Sequence, residues 1–411
     1  MKARINRSAA VAGALAALVG AAPAASAAST PVTTKAASTW QRYDVPVRGR
    51  ANVVSVAATG RDSAWAGGFQ VGDGTGLASR DHVGPADSED VAHVRSTADD
   101  CYEATAFPSL MLRWDGRTWR QAPVPDLGRI EHVSASGPED AWASADCGLL
   151  HWDGRGWSTV PFAPTGAQQT ATGAVKAVGP DEAWMVGGTY DNQTGVEHGI
   201  VQRWDGDQWH DVPLPGLGDH FALKGVDARG SNDVWVAGTD YTDDDQRPER
   251  LLLLHWDGGS WKRLPEPATD EWTKRVQTVR VLSTGDVWVG GWTKSTFSGD
   301  AIRNPLLMHW NGRAWASTPT PAGPGEVADL SADLSADRRR LTAVGDTFSP
   351  GVSEYAMSVL RWTGERWTAD GVPATGTASL FGAAAVPGGG TWVTGAVGDA
   401  DTMRPLIARR G

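Results

Sequence analysis

Cysteine is almost absent from this chain of 411 residues, which contains only Cys101 and Cys147. The chain also lacks a Cys-x-x-Cys pair, a Gly-x-Ser-x-Gly elbow, a phosphate-binding glycine loop and a His-Glu-x-x-His motif. These absences exclude the short signatures of redox proteins, serine hydrolases, P-loop enzymes and zinc proteases. Evidence about function must therefore come from features other than those motifs.

Long apolar runs are absent beyond the N-terminus, which argues against a membrane-spanning helix of about 20 residues. The one apolar run, Ala9 to Ala22, follows a basic start and precedes Ala25-Ser26-Ala27, which fits an A-x-A cleavage site. We therefore predict a signal peptide over residues 1–27 and a secreted, extracellular protein without membrane insertion. Residues 28–39 show no periodicity and are predicted to be a flexible leader.

Basic residues are fewer than acidic ones, 37 against 48, and the formal net charge is −11 at pH 7. A chain this acidic repels a phosphate backbone and an anionic membrane surface, so no nucleic-acid partner is expected. In an exported protein an even number of cysteines favours a disulfide, here between Cys101 and Cys147.

The sequence does contain a repeat, seen most clearly in His255-Trp256-Asp257-Gly258-Gly259-Ser260-Trp261. An apolar run, an Asp-Gly turn and an aromatic run are typical of a β-hairpin, because Asp and Gly tolerate the positive φ of a tight turn. The other five copies begin at Arg113, His151, Arg203, His309 and Arg361.

Two further elements recur upstream of each hairpin: a Trp-x-x-Gly strand and, before it, a run of small and β-branched residues. Each repeat therefore has four predicted strands, called a (small residues), b (Trp-x-x-Gly), c (into the hairpin) and d (after it). Most repeats are near 50 residues long, which suits one four-stranded blade of a β-propeller. One b copy, Leu341 to Gly345, has lost its Trp. The other six b strands centre on Trp65, Trp142, Trp184, Trp235, Trp288 and Trp392.

The two ends of the repeat array complement one another. The seventh repeat stops after strand c at Arg404 to Ala408, whereas Trp40 to Pro46 matches strand d at Trp209 to Pro213. Pairing the two would remove an open sheet edge. The predicted fold is all-β: a single seven-bladed β-propeller over residues 40–411, with four-stranded blades and a ring closed by the N-terminal strand, which completes the last blade. We expect it to be a monomer.

The units resemble those of kelch-like propellers in Val186-Gly187-Gly188, in Val289-Gly290-Gly291 and in the Trp-x-x-x-Pro ends. The Asp-Gly-x-x-Trp hairpin is also similar to the Asp-box of sialidase-type propellers, Ser-x-Asp-x-Gly-x-x-Trp, without the spacer between Asp and Gly. The resemblance implies that the b–c and d–a connections share one rim, where ligands bind. It concerns the scaffold, and propellers of one fold have many functions.

The repeat explains most of the conspicuous residues. Nineteen of the 21 Trp occupy repeat positions, and the slot that holds either His or Arg before the hairpin Trp is interpreted as structural. Trp272 and Trp292 are the two Trp outside the repeat. With Tyr190, Tyr241, Phe297 and Phe348 they form a predicted arc of aromatics on the b–c rim, suited to stacking against a sugar. The alternative is that these side chains pad the bases of the loops.

Candidates for metal binding and catalysis are fewer. The rim acids Asp240, Asp243 to Asp245, Asp399 and Asp401 are possible oxygen ligands for Ca²⁺, but none has EF-hand spacing, and no cofactor is predicted. His198, His220 and Glu271 are weak candidates for an acid–base set at the rim.

These observations leave three hypotheses. The preferred one is a secreted binding or scaffold module that recognises a carbohydrate or an extracellular protein on the b–c rim. The second is an extracellular polysaccharide lyase or glycoside hydrolase that uses the histidines and carboxylates of the same rim. The third is an interaction surface with no small ligand. Catalysis requires converging titratable groups, and the aromatics are the clearer signal.

Overall fold

The computed structural model describes residues 40–71, 107–167, 169–191, 196–218, 220–241, 249–265, 271–295, 302–321, 323–333, 340–348, 355–399 and 401–411. They fall within the body Ser38–Gly411. Their regular structure consists of 28 β-strands in antiparallel four-stranded sets, so the all-β prediction is confirmed. Among these residues there is no helix long and apolar enough to cross a membrane.

The strands follow the predicted order of elements. In chain order they are β1 (Trp40–Tyr43), β2 (Ala51–Gly60), β3 (Ser63–Gln70), β4 (Ser109–Trp114), β5 (Trp119–Gln121), β6 (Ile130–Gly137), β7 (Asp140–Ala145), β8 (Gly148–Trp152), β9 (Trp157–Val160), β10 (Gln169–Gly179), β11 (Glu182–Asp191), β12 (Val196–Trp204), β13 (Trp209–Asp211), β14 (Phe221–Gly230), β15 (Asp233–Asp240), β16 (Arg250–Trp256), β17 (Trp261–Arg263), β18 (Thr273–Ser283), β19 (Asp286–Lys294), β20 (Asn304–Trp310), β21 (Trp315–Ser317), β22 (Gly325–Asp333), β23 (Arg340–Phe348), β24 (Tyr355–Trp362), β25 (Trp367–Ala369), β26 (Ala378–Ala385), β27 (Thr391–Val397) and β28 (Arg404–Arg410).

The strands form seven units of four. Units 1 to 6 are β2–β5, β6–β9, β10–β13, β14–β17, β18–β21 and β22–β25, and unit 7 is β26, β27, β28 and β1. Units 3 and 4 are joined into one sheet of eight by a single parallel pair, His198 opposite Phe221. In unit 7, β1 pairs antiparallel with β28, with Trp40 opposite Arg410 and Tyr43 opposite Ile407. The outer strand of the last unit therefore comes from the start of the described chain, as the likeness of Trp40 to a d-strand Trp predicts.

The Asp-Gly hairpins are closed by the Asp side chain as well as by the glycine. In unit 4, Asp257 Oδ1 accepts the backbone N–H groups of Gly259 (3.0 Å) and Ser260 (2.9 Å), and Gly258 has a φ of 97°. These hydrogen bonds stabilise the ionised carboxylate and hold the pKa of Asp257 below its ordinary value. The same turn geometry recurs at Asp115, Asp153, Asp205 and Asn311.

Tryptophan clusters join consecutive units. The b-strand Trp142 lies with ring centroids 5.1 Å from Trp204 and 4.9 Å from Trp209, the c- and d-strand Trp of the next unit. Trp392 of unit 7 packs in the same way on Trp114 and Trp119 of unit 1, at 5.1 Å from each. Each Trp removes a large apolar area from water, so these clusters are the main packing contacts between units.

The residue before the first hairpin Trp, which is His in some units and Arg in others, stacks on the b-strand Trp of its own unit. His309 lies 4.3 Å from the ring of Trp288, and the guanidinium of Arg113 lies 5.0 Å from that of Trp65. An acid stands two residues before this Trp. In unit 5 it is Asp286, whose Oδ1 accepts the indole N–H of Trp288 (3.0 Å) and lies 2.9 Å from His309 Nε2. The acid thus orients the stacked pair of rings.

Cys147 lies half-buried in the tight connection between β7 and β8. Cys101 lies outside the described residues, so the Cys101–Cys147 disulfide stays a prediction.

Candidate functional site

Charged and aromatic side chains gather where the b strands end and the a and c strands begin, which is the end of each unit opposite the Asp-Gly turns. This region, here called the loop end, is represented by Glu197, Lys224, Tyr241, Glu249 and Arg275. All five come from strands, or from residues next to strands, of units 3 to 5. Their backbone is therefore fixed by the sheets rather than by the connections.

At the junction of units 3 and 4, Glu197 is buried, with 8% of the residue exposed. Burial raises its pKa, because the charged form loses hydration, and the nearby charges of Lys224, Arg275 and His220 lower it again. This buried acid is therefore in the field of positive side chains of units 4 and 5, Lys224 and Arg275.

At the junction of units 4 and 5, Arg275 links an aromatic ring to an acid. Its guanidinium lies 4.6 Å from the ring centroid of Tyr241, and Nη2 lies 2.9 Å from Glu249 Oε1. Burial is the main reason that the pKa of Tyr241 rises to about 12 and that the pKa of Glu249 rises. Glu249 also accepts the backbone N–H of Lys274, at 3.2 Å. The group is thus a desolvated ion-pair network.

At the junction of units 5 and 6, two cations cover Trp292. Arg303 lies 4.5 Å and Lys294 5.4 Å from its ring centroid, and Arg303 Nη1 donates to Glu326 Oε2 at 3.0 Å. The indole is 1% exposed. Trp292 therefore has no open face for stacking in this structure, because cation–π contacts already occupy the ring.

The other predicted aromatics lie at the loop end, but each belongs to its own unit. Trp272 is half-buried, and its backbone N–H donates to the carbonyl of Lys294 at 2.9 Å. Tyr190 pairs with Glu197 across β11 and β12, and Phe348 lies 6.2 Å from Tyr355. Trp272 lies just before β18 and Trp292 lies on β19 opposite Arg275, both in unit 5, and the other aromatics are distributed over units 3, 4 and 6. Phe297 lies outside the described residues.

The three weak catalytic candidates are placed on separate elements. His198 is exposed on β12, 6.0 Å from the ring of Phe221. His220 immediately precedes β14, and its carbonyl accepts the N–H of Tyr241 at 2.9 Å. Glu271 lies two residues before β18, so the four strands of unit 4 separate it from His220 in the sequence. The acid–base set stays a hypothesis without a geometry that assigns roles.

The described candidates for Ca²⁺ ligands have protein partners. Asp240 Oδ2 lies 2.6 Å from Arg263, and Asp399 accepts the N–H groups of Asp401 and Thr402 at 3.1 and 2.9 Å. Within the described ranges there is no cluster of three or more His, Cys, Asp or Glu that could hold a metal ion. Asp243 to Asp245 lie outside those ranges.

Two neighbouring residues of unit 2, on strand a, have opposed pKa changes. Burial lowers the pKa of His132 to about 4, and the positive charge of Arg280 adds to the effect, although Asp329 and Asp227 oppose it. Burial also raises the pKa of Glu131 to about 7. Both residues are therefore neutral in the folded protein between these values.

We expect acidification from pH 6.5 to 4 to destabilise the protein through His132, because only the unfolded state takes up its proton over that range. The contribution is roughly 2 kcal/mol, since solvent reaches part of the ring. Glu131 acts in the opposite direction: its stabilisation is present below pH 4.5 and is lost as the pH rises through about 7. Urea unfolding gives the free energy of unfolding as a function of pH. This curve should be flatter at acidic pH for His132→Gln and flatter near neutral pH for Glu131→Gln.

The control for this experiment is His210→Gln, since the His210 side chain is 50% exposed in a hairpin beside Asp205. Stability profiles of the His132 and Glu131 variants that run parallel to that of the wild-type protein would contradict the assignment.

Sequence similarity does not place the chain in a family: no protein-family model matches it, and no curated protein matches it. Two solved structures share its fold. One is YCF48 bound to D1 peptide, with a TM-score of 0.51, 14% identity, and 92% of this chain and 96% of that chain covered. The other is YCF48 from Cyanidioschyzon merolae, with a TM-score of 0.52, 15% identity, and 90% and 98% covered. At this identity the likeness shows the fold alone, a β-propeller.

The sequence pattern indicates only part of the loop end. Lys224 is a single charge inside the otherwise apolar run Phe221 to Val226. A charge in such a run is placed where a partner from another strand can neutralise it.

Proposed function

We propose that this chain is an exported, seven-bladed β-propeller that binds a segment of another protein at the loop end of units 3 to 6. The observation that carries the proposal is a network of largely buried charges of both signs along this end of the units. It consists of Glu197 in the field of Lys224 and Arg275, the Arg275–Glu249 ion pair and, at the next junction, the Arg303–Glu326 ion pair.

A closed ring of seven blades is supported by the contacts between units. The a strand of each unit contacts the a strand of the next, and β26 contacts β2. Trp392 packs on Trp114, and β1 completes unit 7. Side chains on a strands also accept N–H groups of the following a strand, as Ser55 does from Val133 and Asp227 from Val281. A ring of this kind leaves its loop end as one continuous surface.

The loop end suits a peptide better than the flat face of a sugar. A peptide offers donors, acceptors and charges in a row, and the network presents both charge signs in fixed positions, so little entropy is lost on binding. The buried Trp292, the strongest candidate for sugar stacking, has no open face. A protein of the same fold, YCF48, has been solved bound to a peptide, which supports this class of ligand.

The test compares binding of the wild-type protein to arrays of random peptides and of glycans, followed by affinity measurements on the hits. We expect peptide hits, and we expect Arg250→Glu at the loop end to weaken them roughly tenfold, because it reverses a charge beside the buried network. Arg155→Glu makes the same charge change in an exposed turn at the opposite end and should leave affinity unchanged. Hits on glycans alone, or equal losses in both variants, would overturn the proposal.

A further inference from the structure

Unit 6 departs from the repeat at the turn end, which is the end that carries the Asp-Gly turns. In units 2 to 5 an acid, two residues before the b-strand Trp, pairs with the His or Arg of strand c, as Glu182 does with Arg203 at 3.1 Å. In unit 6 the equivalent positions hold Arg340 and Arg361, one at the start of β23 and the other opposite Thr342. The ion pair of the other units is thus replaced by two cations.

The tryptophan cluster at the junction of units 6 and 7 is also incomplete. Thr342 stands in the b-strand position of Trp142 and Trp288. Arg410 stands in the c-strand position, because it pairs with Trp40 as Trp204 pairs with Trp209. Only the d-strand Trp40 remains. A cavity of about 40 Å³ lies where the other junctions are filled with indole rings, and its lining includes Thr342, Trp40, Arg340, Arg361 and Arg410.

Positive charge is concentrated around this cavity. Burial lowers the pKa of Arg410, and the nearby guanidinium groups of Arg361 and Arg340 lower it further. Asp370 is the common partner: it contacts Arg410 directly and lies 3.7 Å from Arg361. Asp333 also borders the cavity. Three guanidinium groups therefore share a half-enclosed space with two carboxylates.

We propose that this cavity, between Arg340, Arg361 and Arg410, is a binding site for a small tetrahedral oxyanion, either free phosphate or sulfate or the same group on a larger molecule. Guanidinium groups bind such oxygens with paired, directional hydrogen bonds, and the cavity holds one group of that size. Arg340 and Arg361 also line an open cleft of about 800 Å³ beside Trp288 and Trp362, so a larger carrier of the oxyanion has room. The site is independent of the peptide surface, at the opposite end of the strands.

The test measures melting temperature and calorimetric binding in sodium phosphate and in sodium sulfate, against sodium chloride and sodium acetate at equal ionic strength. We expect phosphate or sulfate to bind with a submillimolar Kd and to raise the melting temperature, and chloride and acetate to do neither. The affinities of a phosphorylated and a sulfated sugar are then compared with those of free phosphate and sulfate. This comparison distinguishes a free ion from the same group on a larger molecule.

Two variants restore the pattern of the repeat. Arg340→Asp introduces the acid that units 2 to 5 have at this position, and Thr342→Trp fills the cavity. Each should weaken oxyanion binding at least tenfold without lowering the melting temperature in chloride. Arg117→Asp makes the same charge change in an exposed turn at the same end and should bind as the wild type does. If Arg340→Asp does not fold, Arg340→Gln replaces it. No binding beyond that of chloride, or unchanged binding in the Arg340 and Thr342 variants, would overturn the site.

Discussion

Deleting residues 28–46 should lower the melting temperature by about 10 °C or more. The deletion removes β1 and with it Tyr43, whose ring lies 5.1 Å from Trp114 of unit 1 and 4.9 Å from Trp392 of unit 7. It also removes Trp40, whose indole N–H donates to the carbonyl of Gly371 at 2.6 Å. Each large aromatic lost from such contacts costs roughly 3 kcal/mol, and β28 is left as an open edge that can pair with another chain.

The control is deletion of residues 28–38, which leaves β1 complete and should leave the melting temperature nearly unchanged. Differential scanning calorimetry at several protein concentrations measures both the stability and any association through the open edge. If the two deletions melt alike, β1 does not hold units 7 and 1 together.

Trp292→Ala should destabilise the protein by roughly 3–5 kcal/mol, about as much as Trp288→Ala in the repeat. Both indoles are at most 2% exposed. Removal of Trp292 also leaves Lys294 and Arg303 without the ring that they cover, so two buried cations lose a favourable contact. Equilibrium unfolding in urea measures the difference.

Trp272→Ala is the matched control, since Trp272 belongs to the same unit, just before β18, but is only half-buried. Trp272→Ala should lower the free energy of unfolding by less than half as much as Trp292→Ala does. A Trp292→Ala variant that is as stable as the wild type would mean that the indole is not core, and the sugar-stacking hypothesis would regain its main residue.

The order of the strands was predictable because each repeat specifies its turns and packing through residues that are close in the sequence. Asp257-Gly258 specifies a turn through the Asp side chain and the positive φ of glycine, and the b-strand Trp fills the same space in each unit. Even the copy without a Trp, Leu341 to Gly345, was recognisable, and it is β23. The likeness of Trp40 to other d-strand Trp indicated the partner of β28.

The loop end was not predictable in the same way. Glu249 and Arg275 lie in different units, and no spacing rule connects an ion pair that forms only when two sheets pack together. The burial of Trp292 was not predictable for the same reason. It lies outside the repeat in sequence, but Arg303 folds over it, and exposure depends on that packing. Absence from a repeat pattern does not mean absence from the core.

The pairing of β1 with β28 has a consequence for the order of folding. β1 can reach its partner only after β28 has been made, so until then unit 7 holds only β26 and β27, while the strands of units 1 to 6 have all been made. Among the described strand pairs, this one closes the longest loop and carries the largest loss of chain entropy. Pairing of β1 with β28 is thus the step that completes unit 7 during folding of the nascent chain. A chain interrupted before β28 would keep a free N-terminal strand, available for exchange with a second copy.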